Sequence, residues 1–348
     1  MAGGRYAAAL IFRAASGKAW PREPVARKGT SMTARFAALA LALALGGATL
    51  AQAGAPQQKS QAPGYYRMML GDFEITALND GTVDLPVDKL LKERRPGQVL
   101  RALQQAYLGV PLETSVNGYL VNTGSKLVLI DTGAASLFGP TLGRLVANLR
   151  ASGYEPEQVD EIYLTHMHPD HVGGLTQNGQ AVFPNAVVRA DQRDADFWLS
   201  AEQAAKAPAE AKGFFQGAMS SMKPYVDAGR FKPFEGNTDL LPGLRAVATP
   251  GHTPGHTVYM VESKGQKLAV WGDLMHVAAV QFHDPSVTIA FDTDAKAAMP
   301  QRQQAYADAA DQGYYVAVAH VSFPGIGKLR PDGKGYLWLP ANYSAKPR

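Results

Sequence analysis

The chain has 348 residues, of which 46% are hydrophobic, and its formal net charge is +4. This length and composition are those of an ordinary globular protein with a sizeable core, and they exclude fibrous, low-complexity and disordered classes. Seven of the 34 basic residues but only one of the 30 acidic residues lie in residues 1–53, so the remainder carries 27 basic and 29 acidic residues and lacks the positive charge that binds nucleic acid or an anionic membrane.

Residues 1–53 are predicted to be a secretory leader. Arg35 precedes the apolar run Phe36–Leu45, and Ala51-Gln52-Ala53 matches the small-x-small pattern of a cleavage site. The run has about ten residues, whereas a helix that spans a bilayer needs about twenty, so a membrane anchor is the less favoured alternative. Met32 stands where a signal peptide normally begins and is a candidate for the true start. We therefore expect a periplasmic or secreted protein with no membrane association in its mature form.

The rest of the chain is predicted to be one domain after a short linker. Residues 54–64 are rich in Gln, Pro, Ala and Gly, which is typical of a flexible tether. Residues 65–348 show no internal repeat and are predicted to fold together. The absence of cysteine excludes disulfides, a thiol nucleophile and a lipid-modified cysteine anchor.

Within this domain, predicted strands come in runs with helices between them. Alternating apolar and polar residues over Asp72–Leu78 predict a strand, and Asn79-Asp80-Gly81 predicts a hairpin turn after it. Apolar residues at helical spacing predict a helix at Pro140–Ser152. The other predicted elements are, in chain order, strands at Tyr119–Asn122, Lys126–Ile130, Glu161–Thr165 and Ala186–Ala190, helices within residues 191–229, strands at Thr257–Val261 and Lys267–Trp271, a helix at Ala297–Asp311 and a strand at Tyr315–Ala319. This order favours an α/β sandwich, in which two sheets pack face to face with helices outside.

The densest cluster of metal-binding side chains is the segment Thr165-His166-Met167-His168-Pro169-Asp170-His171, which holds three of the eight histidines. Side chains two residues apart in an extended segment project to the same side, so His166 and His168 are predicted to face one point. Imidazole nitrogens and a carboxylate oxygen suit Zn²⁺ and the neighbouring first-row metals. Gly173 and Gly174 follow and are expected to let the backbone turn tightly around the site.

Three further candidate ligands each follow a strand-like stretch. They are His252 in Thr249-Pro250-Gly251-His252, Asp273 after Leu268–Trp271, and His320 after Tyr315–Ala319. Loops at strand ends commonly carry active sites on a rigid scaffold. Any one of these residues alone is more often a hydrogen-bonded edge residue, but together with the first cluster they favour a role as metal ligands.

In this order, these motifs resemble the five motifs of the metallo-β-lactamase superfamily. Within it the chain is most similar to the methyl parathion hydrolase group and its dihydrocoumarin-type lactonase relatives, over essentially the whole mature chain. The stretches that carry this similarity are Gly64-Tyr65-Tyr66-Arg67-Met68, Leu70-Gly71-Asp72-Phe73-Glu74-Ile75-Thr76-Ala77-Leu78, Leu112-Glu113-Thr114-Ser115-Val116 and His320-Val321-Ser322-Phe323-Pro324-Gly325-Ile326-Gly327. The resemblance implies a four-layer αββα sandwich.

The resemblance also implies two divalent metal ions, with Zn²⁺ as the default and Mn, Fe or Co as alternatives. The implied ligands are His166, His168 and His252 for one metal, Asp170, His171 and His320 for the other, and Asp273 as the bridge between them. Asp131 resembles the family aspartate that supports the first histidines, although an ordinary strand-end turn would give the same pattern. His256 and His283 are expected to be structural.

The chemistry that this site implies is metal-assisted hydrolysis. Two cations lower the pKa of a shared water, so that a bridging hydroxide is the nucleophile, and they polarise the carbonyl or phosphoryl oxygen of the substrate. Asp170 and Asp273 are the catalytic residues in this hypothesis: Asp273 bridges the metals, and Asp170 also shuttles a proton. No serine or cysteine nucleophile is needed.

Family comparison also maps a substrate pocket onto this chain. The implied pocket residues are the aromatics Phe138, Trp198 and Phe214 and the variable positions Leu91, His276, Ile289 and Phe291. Ile289 and Phe291 are bulkier than their counterparts in parathion-cleaving members, which predicts a narrower pocket. A narrow pocket suits a planar ester better than a tetrahedral phosphotriester. We therefore expect a small-molecule hydrolase that acts on a lactone or an aryl ester.

Several other functions stay open at this point. An organophosphate triesterase is the first alternative, and a β-lactamase or a thioesterase of the same fold is the next. The absence of cysteine excludes the cysteine-using β-lactamases, and the long insert between His171 and His252 argues against a glyoxalase-type thioesterase. A nuclease is disfavoured by the charge of the mature chain, and a non-catalytic metal-binding module is the non-enzyme alternative. Similar proteins are dimers, so the resemblance implies a homodimer.

The predicted cleavage of the leader can be tested on the secreted protein. Because cleavage after Ala53 removes the apolar run, the secreted protein should begin at or close to Gly54. Intact-mass measurement or N-terminal sequencing of the secreted protein tests this expectation. A mature chain that begins well before Gly54 would contradict it.

Overall fold

The computed structural model describes residues 55–346. The chain divides by its internal contacts into residues 1–60 and residues 61–348, and only residues 55–60 of the first unit are described. The predicted leader, residues 1–53, lies outside the described residues, as does the first residue of the predicted tether. Residues 55–64 contain no helix or strand, and the first strand begins at Tyr65.

The strands form two large sheets and two small ones. They are β1 (Tyr65–Leu70), β2 (Phe73–Leu85), β3 (Leu91–Lys92), β4 (Leu112–Asn122), β5 (Leu127–Ile130), β6 (Glu161–Tyr163), β7 (Thr176–Gln177), β8 (Gln180–Ala181), β9 (Val187–Arg189), β10 (Thr238–Leu241), β11 (Leu244–Ala248), β12 (Thr257–Ser263), β13 (Gln266–Val270), β14 (Thr288–Ile289), β15 (Tyr315–Ala317), β16 (Ile326–Asp332) and β17 (Gly335–Pro340). The spatial orders are β1-β2-β4-β5-β6-β9 in the first sheet and β10-β11-β12-β13-β15-β16-β17 in the second, with β3–β14 and β7–β8 as small pairs.

Helices connect and cover these sheets. They are α1 (Val87–Leu90), α2 (Gln98–Gln105), α3 (Leu145–Ala151), α4 (Pro169–Val172), α5 (Gln192–Trp198), α6 (Ala201–Lys206), α7 (Lys212–Asp227), α8 (Ala278–Gln281) and α9 (Ala295–Gln312). Short 3-10 turns lie at Pro156–Gln158, Gly173–Leu175, Ala209–Ala211 and Gly272–Leu274. Over residues 55–346, no helix combines the length and the apolar character that crossing a membrane requires.

Strand alternation divides the apolar side chains of the first sheet between two packing layers. Tyr119 and Val121 of β4 point between the sheets, where they share a cluster with Tyr259 of β12. Leu120, between them in sequence, points to the opposite face and packs with Leu149 of α3 in the layer beneath the helices. Because successive strand residues face opposite sides, one strand supplies both the central core and an outer core.

The second sheet repeats this arrangement on its own side. Leu268 and Val270 of β13 belong to the cluster between the sheets, whereas Ala269 and Trp271 face outward. There the Trp271 ring stacks on Tyr306 of α9, with ring centroids 5.2 Å apart and an interplanar angle of 12°. Helix, sheet, sheet and helix therefore form four layers, and the predicted αββα sandwich is confirmed.

The predicted hairpin at Asn79-Asp80-Gly81 is wrong. β2 continues through this segment and pairs with β4 up to Leu85, with a register shift between Asn79 and Gly81. Gly81 has a φ of 137°, and the Asp80 carboxylate accepts hydrogen bonds from the backbone N–H groups of Ala134, Gly143 and Leu145. An Asn-Asp-Gly run is common to hairpin turns and β-bulges, and here the bulge forms because the loop after β5 binds Asp80.

Most other predicted elements are present with shifted ends. The strand pair around residues 123–125 is confirmed as β4 and β5, and the predicted helix at Pro140–Ser152 is confirmed only from Leu145 onward. Gly143 has a φ of 90°, which is incompatible with a right-handed helix, so α3 begins only after this residue. The hairpins β10–β11 and β16–β17 were not predicted, although Asp332-Gly333 in the second is a hairpin signal.

Gly173 and Gly174 allow close backbone contact rather than the expected tight turn. A Cβ atom at Gly174 would lie 1.9 Å from the carbonyl oxygen of Thr132, and one at Gly173 would lie 2.2 Å from that of Ala134. Gly173 itself has the helical φ of −57°. The two glycines therefore bring the segment after His171 against the loop that follows β5.

Replacing Gly174 with alanine should destabilise the fold, because the backbone of Thr132 must move to admit the methyl group. We expect Gly174→Ala to lower the free energy of unfolding by about 2 kcal/mol or more. Gly213→Ala is the matched control, since a Cβ atom there in α7 meets nothing within 4 Å and alanine favours a helix over glycine. Chemical denaturation of both variants measures the difference, and equal stability of Gly174→Ala and wild type would contradict the close contact.

Candidate metal centre

The predicted metal ligands converge because each follows the end of a strand or opens a short helix. His166 and His168 follow β6, and Asp170 and His171 lie in α4 directly after them. The remaining ligands also follow strands, with His252 after β11, Asp273 after β13 and His320 after β15. β5 and β6 are parallel, as are β13 and β15. The segments that follow these strands therefore start at the same end of each sheet, where the carboxyl ends of the strands lie.

The first donor group consists of His166, His168, His252 and Asp273, all buried, with ligand atoms within 4.8 Å of one another. His252 Nε2 lies 3.1 Å from His168 Nδ1 and 3.2 Å from Asp273 Oδ2. His166 Nε2 lies 3.6 Å from the same carboxylate oxygen. Three ring nitrogens and one carboxylate oxygen therefore face a common point.

The second donor group consists of Asp170, His171, Asp273 and His320. His320 Nε2 lies 3.1 Å from Asp273 Oδ1 and 3.4 Å from Asp170 Oδ2. His171 Nε2 lies 3.3 Å from Asp273 Oδ1 and 3.6 Å from Asp170 Oδ2. Asp273 thus presents Oδ2 to the first group and Oδ1 to the second.

Both groups have the spacing and the chemistry that a divalent metal ion requires. Metal–ligand bonds of about 2.0–2.2 Å at tetrahedral angles place neighbouring ligand atoms roughly 3.3–3.6 Å apart, close to the distances of 3.1 to 3.6 Å found in the two groups. His166 Nε2, His171 Nε2 and Asp273 Oδ1 are buried without a hydrogen-bond partner. Unpartnered buried polar atoms are costly, and a cation at each point would satisfy them.

Asp131 fixes the orientation of two of these histidine rings. Its carboxylate accepts hydrogen bonds from His171 Nδ1–H at 2.8 Å, from the Thr165 hydroxyl at 2.7 Å and from the Thr165 backbone N–H at 2.8 Å. Because the Thr165 hydroxyl gives its proton to Asp131, it accepts from His166 Nδ1–H at 3.1 Å. His166 and His171 therefore both keep Nε2 free for a metal.

Two more rings are held in the same way by different acceptors. His320 Nδ1–H donates to the carbonyl oxygen of Ser115 at 3.0 Å, and His252 Nδ1–H donates to Asp292 Oδ1 at 2.9 Å. His168 differs, because its Nδ1 faces His252 and its ring packs edge-on against Trp198, with centroids 4.9 Å apart. Four of the five candidate histidine ligands thus share one tautomer.

Charge in the site is set by burial and by the contacts between carboxylates and imidazoles. Burial lowers the pKa of His166 and His168 well below the ordinary histidine value, which keeps both rings neutral. Burial also lowers the pKa of His252 and His320, but contact with Asp273 outweighs it and raises these values to about 9 and about 10. Burial alone would raise the pKa of Asp273, yet the histidines around it, His320 first, hold it well below its usual value. Metal binding would therefore displace protons from His252 and His320.

His256 holds the backbone of the shared aspartate and belongs to neither donor group. Its Nε2 accepts a hydrogen bond from the Asp273 N–H at 3.0 Å, and its Nδ1–H donates to the Thr249 hydroxyl at 2.8 Å. Burial lowers the pKa of His256 to about 3, so the ring stays a neutral acceptor. His283 is exposed and also lies outside both groups.

Asp194 joins two ligand loops and was missed in the sequence. Its carboxylate accepts hydrogen bonds from the N–H of Met167, between two ligands, at 2.9 Å and from the N–H of Gly255 at 2.6 Å. Burial raises the pKa of Asp194 to about 6. Nothing in the sequence marks this role, because an aspartate in the first turn of α5 is ordinary helix composition.

A cavity opens above the two donor groups and is floored by their ligands. Its lining residues are His168, Asp170, Asp273, His276 and His320 with Val83, Leu85, Val116, Phe138, Leu142, Phe214 and Phe291. The Phe214 ring lies 6.0 Å from Phe138 and 6.2 Å from Phe291, so three aromatic rings form one wall. His276 stacks on His320 with centroids 5.3 Å apart, and its Nε2 lies 3.0 Å from Asp273 Oδ2. The lining of this cavity therefore includes four of the predicted pocket residues, Phe138, Phe214, His276 and Phe291.

The other three predicted pocket residues do not line this cavity. Trp198 is buried behind the wall, where it packs against His168 and lies 6.4 Å from Phe214. Leu91 and Ile289 pair across β3 and β14 and belong to a separate apolar cluster against which Phe291 packs. The side chains of these three residues are buried in core packing, so they lie behind the aromatic wall and do not face the cavity. A more open depression along β10 and β11 contains none of the predicted site residues.

The chain belongs to the metallo-β-lactamase superfamily. Residues 112–320 match the sequence model of the metallo-beta-lactamase superfamily. That range contains both donor groups, from His166 to His320. The family expected from the motif order is therefore confirmed.

The relatives with similar sequences include lactonases and a ribonuclease. N-acyl homoserine lactonase AiiA of Bacillus thuringiensis subsp. kurstaki is 28% identical over 181 residues, which are 49% of this chain and 62% of that protein. The chain thus spans less than two thirds of the lactonases that it matches. A ribonuclease of Thermus thermophilus is 27% identical over 182 residues, 51% of this chain and 39% of that protein.

Two solved structures share most of the fold. The hydrolase AbOPH of the beta lactamase superfamily is 42% identical, with a TM-score of 0.78, and the match covers 82% of this chain and 100% of that one. AidC, a dizinc quorum-quenching lactonase in complex with the product N-hexanoyl-L-homoserine, is 25% identical, with a TM-score of 0.75 and coverage of 81% and 98%.

Removing the charge of Asp131 should weaken metal binding at both donor groups, and most at the second. In Asp131→Asn the acceptor for His171 Nδ1–H is weakened directly and the orientation of His166 is weakened through Thr165, so we expect zinc affinity at the second group to fall about 10- to 100-fold. Competition with a chromophoric chelator measures it. Asp160→Asn is the control, because Asp160 binds Lys126 and the Leu127 N–H at the opposite end of β5. Wild-type affinity in Asp131→Asn would show that this carboxylate does not support the site.

Proposed function

We propose that the chain is a dinuclear metal hydrolase that opens lactones or cleaves aryl esters. The observation that carries this proposal is the position of Asp273, whose two carboxylate oxygens face two different donor groups at the floor of one cavity. When bound there, two divalent cations, with Zn²⁺ as the first choice and Mn, Fe or Co as alternatives, would supply a water of lowered pKa and polarise the carbonyl oxygen of a substrate. AidC, which has the same fold, is described as a dizinc lactonase.

Two carboxylates of the chain have different roles in this proposal. The Asp273 side chain is only 3% exposed, and its role is to hold the two donor groups at a fixed separation. The Asp170 side chain is 16% exposed and lines the cavity. Because Asp170 reaches both a ligand position and the substrate space, it is the group that accepts a proton from water and passes it to the leaving alkoxide or phenoxide.

The wall of the cavity supports a flat, apolar substrate. Phe138, Phe214 and Phe291 form an apolar wall above the donor groups and offer aromatic surface to an aryl or alkyl group. His276 adds a polar ring beside Asp273. A narrow cavity favours a flat lactone over a phosphotriester, because the substituents of a phosphotriester extend in all directions and need more room.

Other reactions share the same donor groups and are outcomes of the test. Phosphotriester cleavage is the first alternative, and β-lactam or thioester hydrolysis follows. The ribonuclease relative raises nucleic acid as a substrate, but residues 54–348 carry 27 basic against 29 acidic residues, which disfavours a polyanion. The secreted location and the homodimer stay predictions.

A substrate panel on zinc-loaded protein tests the proposal. We expect kcat/KM for dihydrocoumarin or N-hexanoyl homoserine lactone to exceed that for methyl parathion by at least about tenfold, or ~1.4 kcal/mol in transition-state stabilisation. Nitrocefin and a single-stranded RNA should be hydrolysed more slowly than either lactone.

The controls separate the metal from the substrate preference. Chelator-treated protein should lose all hydrolysis and recover it with Zn²⁺, and Asp273→Ala should retain less bound metal. A clear preference for methyl parathion would overturn the lactonase proposal, and full activity in metal-free protein would overturn the metal-dependent mechanism.

A further inference from the structure

A buried carboxylate and a buried guanidinium lie behind His252. The side chain of Asp292 is fully buried, and its Oδ1 accepts the Nδ1–H of His252 at 2.9 Å. Its Oδ2 accepts from the Ile289 N–H at 3.2 Å and lies 3.9 Å from Arg302 Nη2. Arg302, on α9, is itself 1% exposed. Burying two opposite charges is costly unless both are paired and hydrogen bonded, and here both are.

Arg302 also contacts the backbone next to the shared aspartate of the metal centre. Its Nε donates to the carbonyl oxygen of Leu274, the residue after Asp273. Its Nη1 donates to the carbonyl oxygens of Val287 at 2.7 Å and Pro285 at 3.2 Å. One guanidinium thus contacts the turn that carries Asp273 and, through Asp292, the ring of His252.

The backbone around Asp292 is attached to the same histidine turn. The Thr293 N–H donates to the carbonyl oxygen of His252 at 2.9 Å, and the Asp294 N–H donates to that of Gly251 at 2.8 Å. A Cβ atom at Gly251 would lie 2.2 Å from the backbone nitrogen of Ala298 in α9. The His252 turn is therefore held against α9 by backbone contacts as well as by its ring.

We propose that Asp292, whose charge is compensated by Arg302 at 3.9 Å, is the positioning residue for His252 in the first donor group. It fixes the tautomer and the angle of His252, so that Nε2 points to the metal position beside His168 and Asp273. The second donor group is oriented by Asp131 and Ser115, and Asp131 also orients His166 of the first group through Thr165. Asp292 is therefore the acceptor that acts on His252 without touching either ligand ring of the second group.

Asp292 also affects the cavity wall, through its neighbour Phe291. Phe291 precedes Asp292 in the chain and lines the cavity, while its neighbour Ile289 donates a backbone hydrogen bond to the Asp292 carboxylate. The carboxylate that orients His252 therefore also holds the segment that forms part of the aromatic wall. Loss of Asp292 should affect substrate binding as well as metal binding.

The test is zinc competition with a chromophoric chelator on the full chain, together with the stoichiometry of bound zinc. This inference rests on the proposed two-metal site, and wild-type protein that binds no zinc would contradict that site rather than the role of Asp292. With two zinc ions bound to wild type, we expect Asp292→Ala to weaken one of them up to about 100-fold and leave the other unchanged. Asp292→Asn, which keeps an oxygen acceptor, should weaken the same ion by about tenfold.

The matched control is Asp294→Ala, in the same segment. Asp294 caps α9 by accepting from the N–H groups of Lys296 and Ala297, so its loss should lower the thermal midpoint without changing either zinc affinity. If Asp292→Ala does not fold, Asp292→Asn alone decides. Wild-type affinity for both ions in a folded Asp292 variant, or an equal loss at both ions that Asp294→Ala also shows, would overturn the proposal.

Discussion

The structure depends on one buried aspartate that faces two groups of histidines at once. Asp273 follows the central strand β13 and is held by His256 through its backbone N–H. Its Oδ2 faces His252 and its Oδ1 faces His320, at 3.2 Å and 3.1 Å. A carboxylate surrounded by imidazoles in a buried site needs positive charge to compensate it, and two divalent cations would supply that charge in the proposed function. The cavity and the ligand loops are arranged around this requirement.

The ligands are held in place by a surrounding set of buried carboxylates. Asp131 orients His171 and, through Thr165, the ring of His166, while Asp194 joins two ligand loops by their backbone N–H groups. Asp80 binds the loop after β5 in the same manner. Each carboxylate satisfies donors that would otherwise be buried without partners. The rigidity of the site therefore comes from several independent contacts, each made by a different part of the chain.

Local spacing predicts only the first cluster of candidate ligands, whereas His252, Asp273 and His320 were added from their positions at strand ends and from the resemblance. His166 and His168 are two residues apart after a strand, and that spacing alone turns both rings to one side. Asp292 and Asp194 could not be predicted, because their partners lie 40 and 61 residues away in the chain and neither belongs to a motif. Asp80 was misassigned for the opposite reason, since its neighbours form a turn signal that the loop after β5 overrides. Trp198 was placed in the pocket because a resemblance maps a position without the direction of its side chain.

Anomalous diffraction from crystals of the zinc-loaded protein, collected above and below the zinc absorption edge, tests the central claim most directly. The account predicts two zinc peaks, one among His166, His168 and His252 and the other among Asp170, His171 and His320. One carboxylate oxygen of Asp273 should be bonded to each peak. A single peak, or Asp273 bonded to only one of two ions, would contradict the account.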